Sequence, residues 1–296
     1  MEQKTPVELG LQILKHEKVE SNNFRFISSE LGFVSSFSRM ENTLFEIGQP
    51  YKLQEGRVMV VTHGSAKISI NLMEYLFQEN NLSLIAPGTI VQIMEVSPDF
   101  DAEMIAVNIN FLPIVDKEKF FSYYLQYDKT MLISLQQEER EQIDGFLSLI
   151  WNILQEEVFR KEVVQHLLAS LLYNIRCLAS NKKSDETYGM THQNEIFRRF
   201  ITLVTLYSKT ERNVSFYAEK MCLTPRYLNT VIKQTSHQTI MDWINQSIIM
   251  EAKVLLKHSD KLVYQISDEL NFPNPSFFCK FFKRITGITP QRYQKL

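Results

Sequence analysis

The first third of the chain alternates short apolar runs with turn-forming residues. Between about residues 22 and 112, glycine, proline and asparagine recur at short intervals. The intervening runs, such as 57–62, 67–72, 83–86 and 103–109, are rich in β-branched or alternating apolar residues. Short strands separated by frequent turns are typical of an antiparallel sandwich or barrel. We therefore predict a β-barrel domain over residues 1–112, including an N-terminal arm.

The hydrophobic period changes after Pro113. From Gln136 onward, apolar residues recur at spacings of three and four, which predicts amphipathic helices. The positions concerned are Ile143, Phe146, Leu147, Ile150, Leu154, Val164, Leu167, Leu168, Leu171, Leu172, Ile175 and Leu178. We assign residues 113–180 to a helical segment whose apolar stripe packs within the subunit or against a second copy of the chain.

A polar stretch separates this segment from the remainder. Residues 179–189 lack periodic apolar positions and are rich in small and charged side chains, which is typical of a linker. We place the linker at 181–193 and a second domain at 194–296. That domain has an almost continuous helical pattern with short breaks. Together these patterns predict a two-domain α+β protein.

Two similar helix-turn-helix patterns occur in the second domain. The first has a short helix from about Ser215, a break at 222–223, and a second helix that Thr224 caps and Pro225 opens. About 50 residues later, Asn274 and Pro275 form the same combination of a capping residue followed by proline. One such pattern is weak evidence of DNA binding, because ordinary helical hairpins share it. Two of them make a much stronger case.

An amphipathic helix over 239–257 connects the two patterns. Its apolar side carries Trp243, Ile244, Ile248, Ala252, Leu255 and Leu256. A stiff connector would hold the second helix of each pattern at a fixed separation. Two sites read from one face of B-DNA lie about 34 Å apart, a distance that such a connector could enforce.

The charge distribution separates the two domains. The chain has 44% hydrophobic and 22% charged residues, a composition typical of a folded protein, and a formal net charge of -2. From Glu195 to Leu296 there are 15 lysines and arginines against 8 acidic residues, a net charge of +7, which leaves -9 elsewhere. A cationic domain suits a polyanion such as double-stranded DNA, although a solvated surface would have the same charge.

Other features limit the alternatives. The three cysteines and six histidines are scattered without metal-ligand spacing, so we expect no metal, no cofactor and no disulfide framework. No apolar run is long enough to cross a membrane, and residues 1–10 do not resemble a signal peptide. We expect a cytoplasmic protein without a membrane partner.

The second domain resembles the AraC/XylS family of bacterial transcription regulators over residues 195–296. The strongest matches are residues 251–256, 266–272 and 276–293. Two departures stand out. Asn271 occupies a position that is usually Gly, and Ser247 lies near a position that is usually Arg. Asn tolerates the left-handed conformation of a helix end, so the first departure is mild, whereas the second puts one helix-anchoring contact in doubt.

The resemblance implies that the second helix of each pattern enters one of two successive major grooves. Carried over by position, the DNA-facing residues are Arg226, Asn229, Thr230, Lys233, Asn274, Ser276, Phe277, Lys280, Lys283 and Arg284. Lys283 and Arg284 would lie nearer the DNA backbone. An exposed surface role is the alternative for each of them, and Phe277 could instead belong to the core.

The N-terminal domain resembles the cupin-like sensor barrel common in this family, on the short match of residues 84–89. The resemblance implies an effector-responsive homodimer, dimerised through the helical segment, with RNA polymerase as a further candidate partner. Arg39, His63 and Met94 are candidate residues of an effector pocket, although surface or core roles would also explain them.

Two other functions remain open on the sequence alone. One is a cupin-type enzyme with a helical accessory domain, but we find no metal triad or nucleophile and base pair and expect no enzymatic activity. The other is a regulator that responds to a protein partner or to nothing, in which the barrel is a dimerisation scaffold.

Overall fold

The computed structural model describes residues 11, 24–40, 46–113, 130–186 and 192–295. The chain divides into two compact units, with the boundary between residues 189 and 190. Among the described residues, the N-terminal unit contains two β-sheets, two α-helices and a short 3-10 helix (Ile109–Phe111), and the C-terminal unit is helical. This architecture agrees with the predicted two-domain α+β class. Most of the predicted N-terminal arm and residues 114–129 of the helical segment lie outside the described residues.

The N-terminal unit contains two antiparallel sheets. One has the strand order β1-β2-β9-β4-β7-β10, and the other has the order β3-β8-β5-β6. The strands are β1 (Arg25–Ile27), β2 (Leu31–Val34), β3 (Pro50–Lys52), β4 (Gly56–His63), β5 (Ser65–Ile70), β6 (Met73–Gln78), β7 (Asn81–Ile85), β8 (Ile90–Val96), β9 (Asp101–Val107) and β10 (Thr130–Ser134). The described strand pairings do not join these sheets into one closed barrel.

Strand β4 of the six-stranded sheet contributes side chains to two separate apolar clusters. Successive side chains of a strand point to opposite faces. Val58 and Val60 accordingly join one apolar cluster, while Met59 and Val61 join another. The second cluster also contains Ile68 and other residues of the four-stranded sheet. The six-stranded sheet is therefore covered by the four-stranded sheet on one face.

Helices cover its other face. These are α1 (Gln137–Leu154) and α2 (Lys161–Glu186). Their buried residues belong to the same apolar cluster as Val58 and Val60, and they include Ile143, Leu147, Ile150, Leu154, Val164, Leu168, Leu171, Leu172 and Ile175. The predicted stripe thus packs within the subunit at these positions. A guanidinium NH group of Arg140 also donates to the Val61 carbonyl oxygen, at 3.1 Å.

Two details differ from the predicted segments. Residues 130–134, which we assigned to a helical segment, form strand β10 and pair with β7. That pairing partner lies about 45 residues earlier, so local periodicity did not reveal it. Helix α2 also continues through residues 181–186, which we assigned to the linker. Lys182 stabilises this extension, because its Nζ lies 2.6 Å from Glu139 Oε2.

The C-terminal unit is a succession of helices. They are α3 (His192–Tyr207), α4 (Val214–Lys220), α5 (Pro225–Ser236), α6 (Ile240–His258), α7 (Val263–Glu269), α8 (Pro275–Thr286) and α9 (Pro290–Lys295). Helix α3 packs against α6 and α4 through aromatic pairs. The ring centroids of Phe197 and Trp243 are 5.3 Å apart, and those of Phe200 and Tyr217 are 5.9 Å apart. Among all described helices, none combines the length and apolarity that crossing a membrane requires.

Candidate nucleic-acid interface

The first helix-turn-helix motif, residues 214–236, consists of α4, a tight turn and α5. Cys222 adopts a left-handed conformation with φ of 55°, which reverses the chain after α4. The Leu223 amide then donates to the Ala218 carbonyl at 2.9 Å, as in a Schellman helix end. Thr224 caps α5 by accepting a 3.2 Å hydrogen bond from the Tyr227 amide, and Pro225 begins the helix. The predicted cap and proline are confirmed.

The second motif, residues 263–286, repeats this geometry with α7 and α8. Asn271 takes the left-handed conformation, with φ of 54°, so the departure from Gly is accommodated as expected. The Phe272 amide donates to the Ser267 carbonyl at 3.0 Å. The side-chain oxygen of Asn274 accepts a 3.1 Å hydrogen bond from the Phe277 amide. The two motifs therefore share one turn design despite different sequences.

Each motif is held by a buried apolar junction. In the first motif, Ala218, Met221, Leu228, Val231 and Ile232 are all buried. In the second, the buried side chains of α8 are Phe278 and Phe282, and Phe282 also packs edge-on against Tyr293 of α9. With one face committed to packing, α5 and α8 each leave the opposite face exposed. We call these two helices the reading helices.

Helix α6 connects the motifs and is anchored at several points. Thr239 and Asp242 form a capping box at its start, and Trp243, Ile244, Ile248, Ala252 and Leu256 are buried. Its 19 residues span roughly 28 Å. Ser247, near the position where the family usually has Arg, is buried and lies 2.8 Å from the donating hydroxyl of Ser208. A hydrogen bond between two hydroxyls therefore ties α6 to the end of α3.

All predicted DNA-facing residues are exposed on the reading helices or at their caps. In α5 they are Arg226, Asn229, Thr230 and Lys233, and in or beside α8 they are Asn274, Ser276, Phe277, Lys280, Lys283 and Arg284. Phe277 is 60% exposed, which excludes the core role considered from the sequence. The structure thus gathers each set on one helix surface.

Several of these polar groups are already engaged by their own helix. Asn229 Nδ2 donates to the Pro225 carbonyl at 3.1 Å, and the Thr230 hydroxyl donates to the Arg226 carbonyl at 3.0 Å. Asn274 uses its side-chain oxygen for the cap. Within the described part of the chain, by contrast, Arg226, Lys233, Lys280 and Lys283 form no ion pair. Their positive charges are available to an external anion.

A cationic and aromatic cleft of about 350 Å³ lies beside α8. It is lined by Arg212, Phe272, Pro273, Phe277, Lys280, Phe281 and Arg284. These lining residues include three cations and no acidic group. The cleft therefore attracts anions and presents apolar rings next to the charges.

Sequence reasoning missed Arg212, which joins the loop before the first motif to the second motif. A guanidinium NH group of Arg212 donates to the Leu270 carbonyl at the end of α7. The same guanidinium lies 4.0 Å from the centre of the Phe272 ring. Burial lowers the pKa of Arg212 from its ordinary value. Because the residue lies in a loop before α4, only tertiary contacts reveal this role.

The candidate effector residues differ in exposure. Arg39 and His63 are exposed, and Met94 of β8 is half-buried. A different polar pair lies in the interior of the same unit. Arg57 and Glu55 are both buried, with Arg57 Nη2 3.3 Å from Glu55 Oε2. Burial lowers the pKa of Arg57, although the Glu55 charge opposes this effect.

Sequence comparison with characterised proteins assigns the C-terminal unit to a family. A helix-turn-helix domain family model matches residues 217–296, a range that includes the second half of α4 and all of the second motif. PocR, a regulatory protein of Salmonella typhimurium, is 25% identical over 139 residues, which are 46% of this chain and 46% of PocR. Residues 217–296 therefore form a helix-turn-helix domain, and these matches support the resemblance of the C-terminal unit to the AraC/XylS family of transcriptional regulators.

A second relative gives a similar match. RhaR of Escherichia coli strain K12, an HTH-type transcriptional activator, is 24% identical over 142 residues, which are 48% of this chain and 49% of RhaR. The chain spans about half the length of the curated relatives it matches.

Solved structures also align with parts of this chain. A structure of ToxT from Vibrio cholerae aligns over 84% of this chain and 94% of its own, with 13% identity and a TM-score of 0.39. The DNA-binding domain of AdpA, solved with a target DNA, aligns over 33% of this chain and 89% of its own, with 17% identity and a TM-score of 0.32.

Proposed function

We propose that the chain is a sequence-specific, DNA-binding transcriptional regulator that inserts α5 and α8 into successive major grooves. The observation that carries this proposal is the repeated motif with one turn design and two exposed polar faces. In helix-turn-helix proteins, the second helix of the motif reads base edges in the major groove. Two such helices in one unit provide two reading elements per chain.

The electrostatics of the two faces support a duplex as the partner. Phosphate neutralisation by lysine and arginine supplies much of the affinity for DNA. Lys233, Lys280 and Lys283 are exposed cations without an ion pair among the described residues, as is Arg226. The guanidinium of Arg226 and the NH₂ group of Asn274 can read base edges, while Lys283 and Arg284 contact the backbone.

The connection between the motifs supports simultaneous insertion. Helix α6 spans roughly 28 Å, and Arg212 links the start of the first motif to the turn of the second. A rigid connection fixes the distance between reading helices. Adjacent major grooves on one DNA face are about 34 Å apart, so the two helices would read half-sites one turn apart.

The test is selection of bound sequences from a random duplex pool by the full chain at two salt concentrations. We expect enrichment of a motif with two half-sites about one helical turn apart, and weaker binding at the higher salt concentration. Salt-sensitive binding without any enriched motif would contradict sequence-specific reading. No binding at either salt concentration would overturn the function altogether.

We also propose that the regulator is a homodimer. Helices α1 and α2 expose Leu149, Val163 and Tyr173 by 48%, 40% and 45%, on surfaces away from their packed stripe. Such side chains suit a helical contact with a second copy. Sedimentation equilibrium of the full chain should give twice the monomer mass at micromolar concentration, and a monomer would contradict the proposal.

The N-terminal unit is proposed as a cupin-like sensor that responds to a small-molecule effector. Its two sheets enclose an apolar layer, and strand alternation places Arg57 on the same face of β4 as Met59 and Val61. Arg39, His63 and Met94 remain candidate pocket residues. An effector should raise the unfolding temperature of the full chain. RNA polymerase is a further candidate partner of the regulator.

A further inference from the structure

Both reading helices carry an exposed aromatic ring at the same position. Tyr227 and Phe277 each follow the capping residue by three positions, and each backbone amide donates to that cap. Tyr227 is 43% exposed and Phe277 is 60% exposed. The next residue of each helix, Leu228 or Phe278, is fully buried. The first turn therefore holds each ring outward at a matching place.

Single exposed apolar residues are normal on a protein surface. These two differ because the position is repeated in motifs with different sequences and because the surroundings are cationic. Phe277 lines the cleft with Arg212, Lys280 and Arg284. Tyr227 lies on α5 directly after Arg226 and one turn before Thr230. Rings beside unpaired positive charge suit a polyanion that also offers apolar groups.

Thymine is the base that meets this description in the major groove. Its C5-methyl is the apolar group among the base edges there, and phenylalanine is one of the side chains that contact it. The N-terminal residues of a recognition helix are those that reach base edges. Both rings occupy the third helical position, which lies within that part of the helix.

We propose that Tyr227 and Phe277 each contact a thymine methyl group and thereby select an A·T pair in each half-site. This inference rests on the proposed function, because it requires both reading helices to enter the major groove. It adds a base preference to each helix. It also assigns a role in specificity to Tyr227, which is not among the DNA-facing residues predicted from the sequence.

The experiment replaces thymines by deoxyuridine in an operator selected by the full chain. Deoxyuridine keeps the pairing edge and lacks only the methyl group. Each single replacement of the contacted thymine in a half-site should weaken binding about fourfold, which corresponds to the loss of about one buried CH₂ group. Replacing thymines outside the half-sites provides the reference.

Variants assign each effect to a ring. Phe277→Ala should abolish the deoxyuridine effect in one half-site and retain it in the other, while Tyr227→Ala should do the reverse. Tyr227→Phe should retain the effect, since the ring and not the hydroxyl makes the contact. Tyr264→Ala removes a ring of similar exposure (51%) from α7 and should leave both effects intact.

Three results would overturn the inference while leaving the proposed function in place. They are specific binding that deoxyuridine does not weaken, selected half-sites without thymine, and deoxyuridine effects that persist in Tyr227→Ala and Phe277→Ala. Failure to select any operator would instead overturn the proposed function itself, so the two failures are distinguishable.

Discussion

At the scale of single residues, the reading helices divide their polar groups between folding and binding. The side-chain oxygen of Asn274 accepts a hydrogen bond from the Phe277 amide, and its NH₂ group can donate to other partners. Thr230 donates its hydroxyl hydrogen to its own helix. Among the described residues, Arg226, Lys233, Lys280 and Lys283 have no ion pair, so these side chains are available to DNA.

Replacing Arg226 or Lys280 with Ala should therefore weaken operator binding. If the side chain reads a base, the loss should be about 1–3 kcal/mol and specificity should relax at one position. Titration of the full chain against operator and scrambled duplexes measures both quantities. Arg199→Ala removes an exposed cation from α3 and is the matched control. Equal losses for the control and the test variants would contradict a reading role.

Neighbouring phenylalanines on α8 should differ sharply in their effect on stability. Phe282 is fully buried, with its ring centre 5.9 Å from that of Phe278 and 5.5 Å from that of Tyr293. Phe282→Ala should lower the free energy of unfolding by about 3–5 kcal/mol because it removes packing and leaves a cavity. Phe277→Ala should change it by about 0.5 kcal/mol or less. Chemical unfolding of both variants tests this, and similar values would refute the assigned burial.

Sequence reasoning identified the exposed polar residues of both motifs but not every functional candidate. Helical spacing distinguishes the two faces of α5 and α8, so charged and amide residues could be assigned from pattern alone. Tyr227 belongs to the same exposed face. The sequence also shows its correspondence to Phe277, because each residue lies three positions after a capping residue that is followed by proline. Arg212 had no such signal, because its partners lie about 60 positions away in the chain.

At the scale of elements, capping residues decided where the reading helices begin. Thr224 with Pro225 and Asn274 with Pro275 set the starts of α5 and α8, as predicted. These signals are local, because a cap bonds an amide only three residues away. Strand β10 and the end of α2 depend instead on distant partners, and they were the elements assigned wrongly.

The capping box of α6 should make stability depend on pH. Hydrogen bonds from the Thr239 hydroxyl and amide hold the pKa of Asp242 below its usual value of about 3.9. The carboxylate therefore stabilises the folded state above that value, and this contribution disappears as the pH falls through the lowered pKa. Unfolding of Asp242→Asn and the parent chain between pH 7 and 3 should show a stability difference that shrinks at the acidic end.

Asp260→Asn is the control for loss of one negative charge, because Asp260 is an exposed carboxylate in the loop after α6. A difference between Asp242→Asn and the parent chain that stays constant down to pH 3 would refute the role of the capping box.

At the scale of the whole molecule, the proposed function depends on how the two motifs are held relative to each other. Arg212 contacts the Leu270 carbonyl and the Phe272 ring, and Asn271 Nδ2 lies 3.4 Å from the Thr210 carbonyl oxygen. These contacts join the loop before α4 to the turn after α7. Together with α6, they restrict relative movement of the reading helices.

Arg212→Ala should loosen this connection. We expect a loss of about 1–2 kcal/mol in unfolding free energy, typical of a hydrogen bond to a charged group at a half-buried site. Tolerance of operators whose half-site spacing differs by one base pair should increase. Arg212→Lys keeps the charge but lacks the planar group that stacks on Phe272, so it should show the same loss of spacing preference. Unchanged spacing preference in both variants would contradict the linking role.

The sequence by itself determined the local features of this protein: the strand-rich first part, the apolar stripes, the two capped motifs and the exposed cationic faces. Each follows from interactions within a few residues or from helical and strand periodicity. The tertiary structure decided which sheet face α1 and α2 cover, the strand at 130–134, the buried Glu55 and Arg57 pair, and the contact of Arg212 with the second motif. The covered sheet face, the strand and the Arg212 contact depend on residues far apart in the chain, whose proximity no local pattern records. Glu55 and Arg57 are two residues apart, but their burial depends on the packing of the whole unit.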